Sequence, residues 1–275
     1  MKFKYIVIFL ILILLFNIPA ESNDSFYIGS FKPEQELNID FLINFNTNDN
    51  NENFLIEFQT DSFRSDNQNI PLSRLNLLLK NQKYVMKTSQ LRISKNQLVK
   101  DAAGFLIPFN LKLQPIDKPG TYFNQFRIKD LQNRVIMEGR MVFTITSWVR
   151  FEKADKNFLK IADVDFSNQK IESNKIVLKI ASNSSWELFG YLEEELGKLT
   201  SNIQISLRKK IKNNFTKEDP MLLNKEPKLL TNGTATVNNQ NYWTEIEVIL
   251  EVDNFQKIKS GMKNFPIVFH LNKLG

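Results

Sequence analysis

Residues 184–199 read SSWELFGYLEEELGKL and set a tryptophan, a tyrosine and three consecutive glutamates close together. A ring beside paired carboxylates is the equipment of a glycosidase. The ring stacks on a sugar, one carboxyl protonates the leaving oxygen, and the other acts as base or nucleophile. That chemistry needs two carboxyls about 5 to 9.5 Å apart across a cleft, whereas Glu193, Glu194 and Glu195 are neighbours on one chain. As a strand, the segment sends Trp186, Leu188, Gly190 and Leu192 to one face and Glu187, Phe189 and Tyr191 to the other. Trp186 then suits a core, and the glutamates suit a solvated turn ending at Gly197. A glycoside hydrolase stands only as a distant alternative, requiring these acids to face another across a groove.

Tyr242 and Trp243 beside a later strand, with Trp148 further up the chain, raise a second kind of chemistry. Exposed rings stack on sugars, so Trp243, Tyr242 and Trp186 are the candidate ligand-stacking residues of a carbohydrate-binding module, the main alternative. The competing use of the same rings is to fill cores or a domain junction.

Other chemistry is short of parts. The chain has no cysteine and one histidine, His270, so zinc lacks its usual ligands and a Ser/His/Asp triad has only one residue to build on. No stretch has the spacing of an EF-hand loop, and DVDFSN at 163–168 reads as a turn. No glycine loop able to cradle a phosphate is present. The expectation is a protein that is no enzyme and has no metal and no cofactor. Three N-x-S/T sequons occur, at Asn183, Asn214 and Asn232.

The first residues address the chain. Lys2 and Lys4, an unbroken apolar run over 6–16, and a small-residue exit through Ala20 and Ser22 have the order of a secretory signal peptide over residues 1–22. The run is shorter than the roughly 20 apolar residues of a spanning helix, and no other segment is apolar enough, so no membrane span is expected in the mature chain. Export to the periplasm, cell surface or medium follows. The formal net charge is +6, with positive and negative residues intermixed; the densest basic cluster, Arg208, Lys209, Lys210 and Lys212, reads as a solvated loop flank. Nucleic-acid binding would need a concentrated basic face, and none is expected.

The elements that carry these residues are strand after strand. In LNIDFLINF, Leu37, Ile39, Phe41, Ile43 and Phe45 alternate with other residues, the period of a strand with one face in a core. Similar runs recur at 54–58, 75–79, 105–113, 122–128, 141–146, 176–180, 185–192, 202–207, 244–252 and 266–271, separated by turn-rich stretches. The halves follow one order: 54–58 matches 176–180, 70–75 matches 203–208, Phe109 and Leu111 before Gly120 match Leu250 and Val252 before Gly261, and Phe126 and Ile128 match Ile267 and Phe269. The offset grows only across polar stretches, where insertions are tolerated. Length and pattern predict an all-β protein of two tandem antiparallel β-sandwich domains, 23–147 and 148–275, meeting near 147–156.

In KPGTYFNQFRI, Pro119 and Gly120 form a turn feeding a strand that carries Tyr122. Here the chain resembles bacterial immunoglobulin-like surface modules, which implies an extracellular immunoglobulin-like sandwich but no ligand. The second half departs from that pattern, with Ser260 and Lys263 in place of Pro119 and Tyr122. The layout is also similar to spore-coat-U-like pilus subunits, although their usual cysteine pair is missing.

One asymmetry bears on function. The first half continues past Ile128 through RVIMEGRMVFTITSW, room for another hairpin arm, and the second has six residues after Phe269. That marks Pro266, Ile267, Val268, Phe269 and His270 as an open-edge strand able to accept another chain, unless FLKIADVDF at 158–166 closes the edge. The expected role is a structural, assembly or adhesion protein of the cell surface or envelope. Its expected partners are other surface proteins, further copies of itself, or glycans.

Overall fold

The computed structural model describes residues 25–47, 52–66, 68–80, 82–102, 104–154, 158–161, 170–193, 203–211, 214–217, 221–222, 224–238, 240–253 and 263–274. The expected signal peptide, the turn at 163–168, Glu194 and Glu195 lie outside these residues. In the N-terminal half the strands are β1 (Ser25–Phe31), β2 (Leu37–Phe45), β3 (Asn53–Phe58), β4 (Ser62–Arg64), β5 (Asn69–Pro71) and β6 (Leu75–Leu79). They continue with β7 (Gln82–Val85), β8 (Gln90–Ser94), β9 (Val99–Asp101), β10 (Gly104–Leu113), β11 (Gly120–Lys129) and β12 (Val135–Ile145). The C-terminal half begins with β13 (Val149–Ala154), β14 (Phe158–Ile161), β15 (Lys170–Glu172), β16 (Ile176–Ser182), β17 (Trp186–Leu192) and β18 (Ile203–Ile211). It ends with β19 (Asn214–Lys217), β20 (Met221–Leu222), β21 (Lys228–Gly233), β22 (Thr244–Asp253) and β23 (Lys263–Lys273).

The protein is all-β; among the described residues only two single 3-10 turns, at Leu72–Arg74 and Lys95–Gln97, interrupt the strands. The first sheet runs β1-β12-β11-β3-β8, and the second runs β2-β10-β6-β7. The third runs β13-β16-β22-β18-β19, and the fourth β14-β23-β17-β21. Among the described strands pairing is antiparallel except between β1 and β12, which run parallel. In the N-terminal half this is the immunoglobulin arrangement, with a sheet of the GFC type facing one of the BED type, and in the C-terminal half β14 stands at the place that β12 takes beside β11.

Alternation explains the layering. β3 and β11 turn every second residue into the core and β2 does so with Leu37 and Phe41 only partly covered, and their inward rows meet in one cluster that includes Ile43, Phe45, Phe54, Ile56, Phe126 and Ile128. Phe45 and Phe54, from opposite sheets, touch edge to face with centroids 5.2 Å apart. A separate cluster joins the third and fourth sheets through Ile176, Leu178, Ile246 and Val248 on one side and Trp186, Leu188 and Ile267 on the other.

Gly120, at φ +155°, takes the backbone state expected of the Pro-Gly turn. Tyr122, two residues on, is fully buried and its hydroxyl donates to the Lys118 carbonyl at 2.8 Å. This is the tyrosine corner of immunoglobulin-like sandwiches. Beside it, the buried carboxylate of Asp117 accepts from the Arg74 guanidinium at 2.5 Å and from the Gln114 backbone N–H at 2.7 Å.

The two halves share a strand order, but not all of it where the sequence match placed it. β2-β10-β6 corresponds to β16-β22-β18, and β11-β3 to β23-β17. The late match is on equivalent strands, since Phe109 and Leu111 lie in β10, Leu250 and Val252 in β22, Phe126 and Ile128 in β11, and Ile267 and Phe269 in β23. The early match slips by a strand: 54–58 is β3 and 176–180 is in β16, whose counterpart is β2. A two-residue period marks a strand without saying which sheet receives it, so pattern matching cannot detect such a slip. The basic cluster is also corrected: Arg208, Lys209 and Lys210 lie within β18, paired with both β22 and β19, and not in a loop flank.

Candidate functional site

Two regions hold the residues singled out by the sequence: the aromatic junction between the halves, and the last strand. At the junction, Trp148 follows the first two sheets directly and is fully buried. Its ring stacks on Tyr242 at 5.9 Å between centroids, and Tyr242 in turn meets Trp243 edge to face at 5.1 Å. The Tyr242 hydroxyl donates to the backbone carbonyl of Glu34, a residue of the other half. Burial, foremost, holds the Tyr242 phenol above the usual tyrosine range. The Arg150 guanidinium lies 5.6 Å from the centre of the Trp243 ring.

Asn183 ties the same junction through its amide. Its Oδ1 accepts from the Trp148 N–H at 2.8 Å, and its Nδ2 donates to the carbonyls of Asp117 at 3.0 Å and Thr146 at 3.3 Å. The Lys273 ammonium reaches the Ser147 carbonyl at 3.5 Å. This use of Asn183 decides one sequon: the nitrogen a glycan would need is buried and engaged by two carbonyls. The Asn232 sequon lies exposed on β21, while the side chain of Asn214 lies outside the described residues.

The structure separates the three proposed stacking residues. Trp186 is 1% exposed, with its Nε1–H donating to the Thr234 carbonyl at 3.0 Å, and is a core side chain with no face for a ligand. Tyr242 and Trp243 are half-buried; the Tyr242 ring packs on Trp148, and the Trp243 ring packs on Tyr242. The Trp186 strand alternates as expected, with Leu188, Gly190 and Leu192 inward and Glu187, Phe189 and Tyr191 outward. Glu193 is exposed, and its N–H donates to the Pro266 carbonyl at 3.1 Å.

The last strand, β23, pairs antiparallel with β17 from Ile267 to Lys273. On its other side β14 covers only the stretch from Lys263 to Pro266, and beyond Pro266 no described strand continues that ladder. In the N-terminal half the corresponding strand, β11, has β12 along its full length, and β1 lies outside β12. The packing records the difference. The inward residues Tyr122, Asn124, Phe126 and Ile128 of β11 are all buried, whereas Phe269 and Leu271 of β23 are half-buried at the rim of their cluster. His270, the sole histidine, is exposed opposite Phe189.

The sequence did not reveal a groove of about 340 Å³ on the first sheet, lined by Glu57, Phe58, Gln59, Ser89, Gln125, Phe126 and Arg127. It forms where β3, β8 and β11 converge, and only tertiary pairing brings those residues together. Its lone carboxylate, Glu57, is bonded by the Lys129 ammonium and by the Gln90 amide at 2.6 Å, and these partners hold it below the usual carboxylate range. One carboxylate fixed in this way does not make an acid/base pair. Among the described residues no three His, Cys, Asp or Glu side chains gather where they could share a cation. No helix among them is long and apolar enough to cross a membrane.

No protein-family model matches the chain, and no curated protein matches it. Several solved structures are similar to it at low identity. CfaE, the adhesive subunit of CFA/I fimbria of enterotoxigenic Escherichia coli, aligns at 9% identity over 92% of this chain and 99% of its own, with a TM-score of 0.33. The CooA pilin subunit of enterotoxigenic Escherichia coli aligns at 13% identity over 45% of this chain and 90% of its own, with a TM-score of 0.28. A family 123 glycoside hydrolase from Clostridium perfringens aligns at 13% identity over 45% of this chain and 23% of its own, with a TM-score of 0.29. Likeness at these scores carries no partner, ligand or activity over to this chain.

Proposed function

We propose that this is an exported, non-enzymatic protein of the cell surface or envelope, built as two immunoglobulin-like modules, with a structural, assembly or adhesion role exerted by strand addition. The leader-like order of residues 1–22 supports export. The observation that carries the role is the pairing of β23, flanked by β17 on one side and on the other, among the described strands, by β14 from Lys263 to Pro266 alone. An extended segment with alternating apolar residues, laid along His270–Lys273, would extend the fourth sheet and cover the half-buried Leu271. Backbone hydrogen bonds would supply affinity, and the alternate side chains specificity. The partner on this reading is another surface protein or another copy of this one.

The N-terminal half supplies the model ligand. β12 runs antiparallel along β11 and contributes Met141, Phe143 and Ile145 to the core. A synthetic peptide of residues 135–145, VIMEGRMVFTI, should therefore bind the purified protein and raise its melting temperature, while a scrambled peptide should not. At a hundredfold excess over its dissociation constant the stabilisation is about 2.7 kcal/mol. An unchanged melting temperature at saturating peptide would refute an accessible edge at β23.

A further inference from the structure

A second edge, in the other half, has a different structural cause. In the C-terminal half β13 precedes β16 and covers its outer edge, pairing from Val149 to Ala154 against Val177 to Ser182. The corresponding strand of the N-terminal half is β2, but the strand that precedes it, β1, crosses to the opposite sheet and pairs with β12. β2 therefore pairs with β10 along all nine residues, and among the described residues no strand lies on its other side.

Sheet edges are normally guarded by shortness, by Lys or Pro, or by bulges. The other edges of this half carry such guards. β1 has a register shift between Tyr27 and Gly29, β5 is three residues long with Pro71, β7 is four residues long with Lys83, and β8 is five residues long with Arg92. β2 is long and regular, has no Lys, Arg or Pro, and presents Leu42 at 60% exposure. Its one charged residue, Asp40, already accepts from the Asn110 amide at 2.7 Å.

We infer that the free edge of β2 pairs antiparallel with β2 of a second copy of this chain, about a two-fold axis through Phe41. The sequence of β2 is self-complementary in that register. On the inward face Leu37 meets Phe45, Ile39 meets Ile43, and the half-buried Phe41 meets its mate. On the outward face Asn38 meets Asn44, and Asp40 meets Leu42. Like charges never fall opposite one another, and each pair occurs twice except Phe41 with its mate, which lies on the axis, as an isologous contact requires. The second sheets of the two copies become one continuous sheet.

The register makes a charge test decisive. Leu42 is exposed, so its replacement leaves the fold of one copy intact, which circular dichroism checks. Leu42→Glu sets an acid opposite Asp40 twice per dimer, and Leu42→Lys sets a base there twice. Sedimentation velocity of the purified protein over a wide concentration range should show a reversible dimer. The glutamate variant should weaken it by about tenfold or more. The lysine variant should keep the dimer and tighten it at low salt. A wild-type protein that remains monomeric throughout overturns the inference, as do two variants that weaken association equally. Excess 135–145 peptide should leave this dimer intact, which distinguishes it from association through β23.

Discussion

Tyr122 shows how much one side chain can settle. Its ring is fully buried against Phe143, 5.4 Å away and nearly parallel, and its hydroxyl fixes the Lys118 carbonyl at the corner feeding β11. Tyr122→Phe keeps the ring and leaves that carbonyl without its donor, an expected cost of about 1–3 kcal/mol by urea denaturation. Burial, the largest cause, raises the Tyr122 phenol above its ordinary range, as it does that of Tyr242. A raised value means that the folded state favours the protonated phenol. Its contribution is therefore intact below about pH 10 and is lost as pH climbs through the raised value. Stability followed by circular dichroism should fall on that alkaline limb, and less steeply in Tyr122→Phe. The sequence marked Tyr122 by its place after Pro119 and Gly120. It could not show the Arg74–Asp117 pair beside it, because those residues are 43 positions apart in the chain.

At the scale of elements, β17 and β21 approach closely enough to make glycine a requirement at one crossing. A Cβ on Gly233 would lie 2.5 Å from Cζ2 of the Trp186 indole, a rigid ring held by its bond to Thr234. A Cβ on Gly190 would lie 2.5 Å from Cδ1 of Leu230, the far end of a flexible side chain. Gly233→Ala should therefore cost about 1–3 kcal/mol in overpacking. Gly190→Ala should cost less, and equal losses in thermal denaturation would refute this difference. The inward and outward rows of β17 were legible from alternation alone. Its neighbours were not, since Trp186 meets Gly233 and Lys273 through register set by the sheet.

For the whole molecule, the junction decides whether the halves act together. Asn183 satisfies the Trp148 N–H and the carbonyls of Asp117 and Thr146 at once, and Tyr242 reaches across to Glu34. Asn183→Ala strands those buried groups, with an expected loss of about 2 kcal/mol or more. Because the lost bonds join the two halves, calorimetry should resolve one unfolding transition into two. A single transition at a lower temperature would show that Asn183 supports only its own neighbourhood. The rings near this junction could be read from the sequence as packing or as a sugar platform. Trp148, fully buried, belongs to the packing, and Tyr242 packs against it.

The sequence by itself determined the all-β character, the alternating faces and the Pro-Gly turn before β11, because a two-residue period and a preset backbone torsion are local properties of the chain. It also carried the leader-like order of residues 1–22. Tertiary structure alone decided which strands became edges. β1 crosses to the opposite sheet while β13 stays beside β16, and nothing local in either strand records that choice. The exposure of β2 follows from it, while the cover on β23 and the role of Asn183 are set by other tertiary pairings. Each depends on partners brought together from distant parts of the chain, where spacing in sequence carries no distance in space.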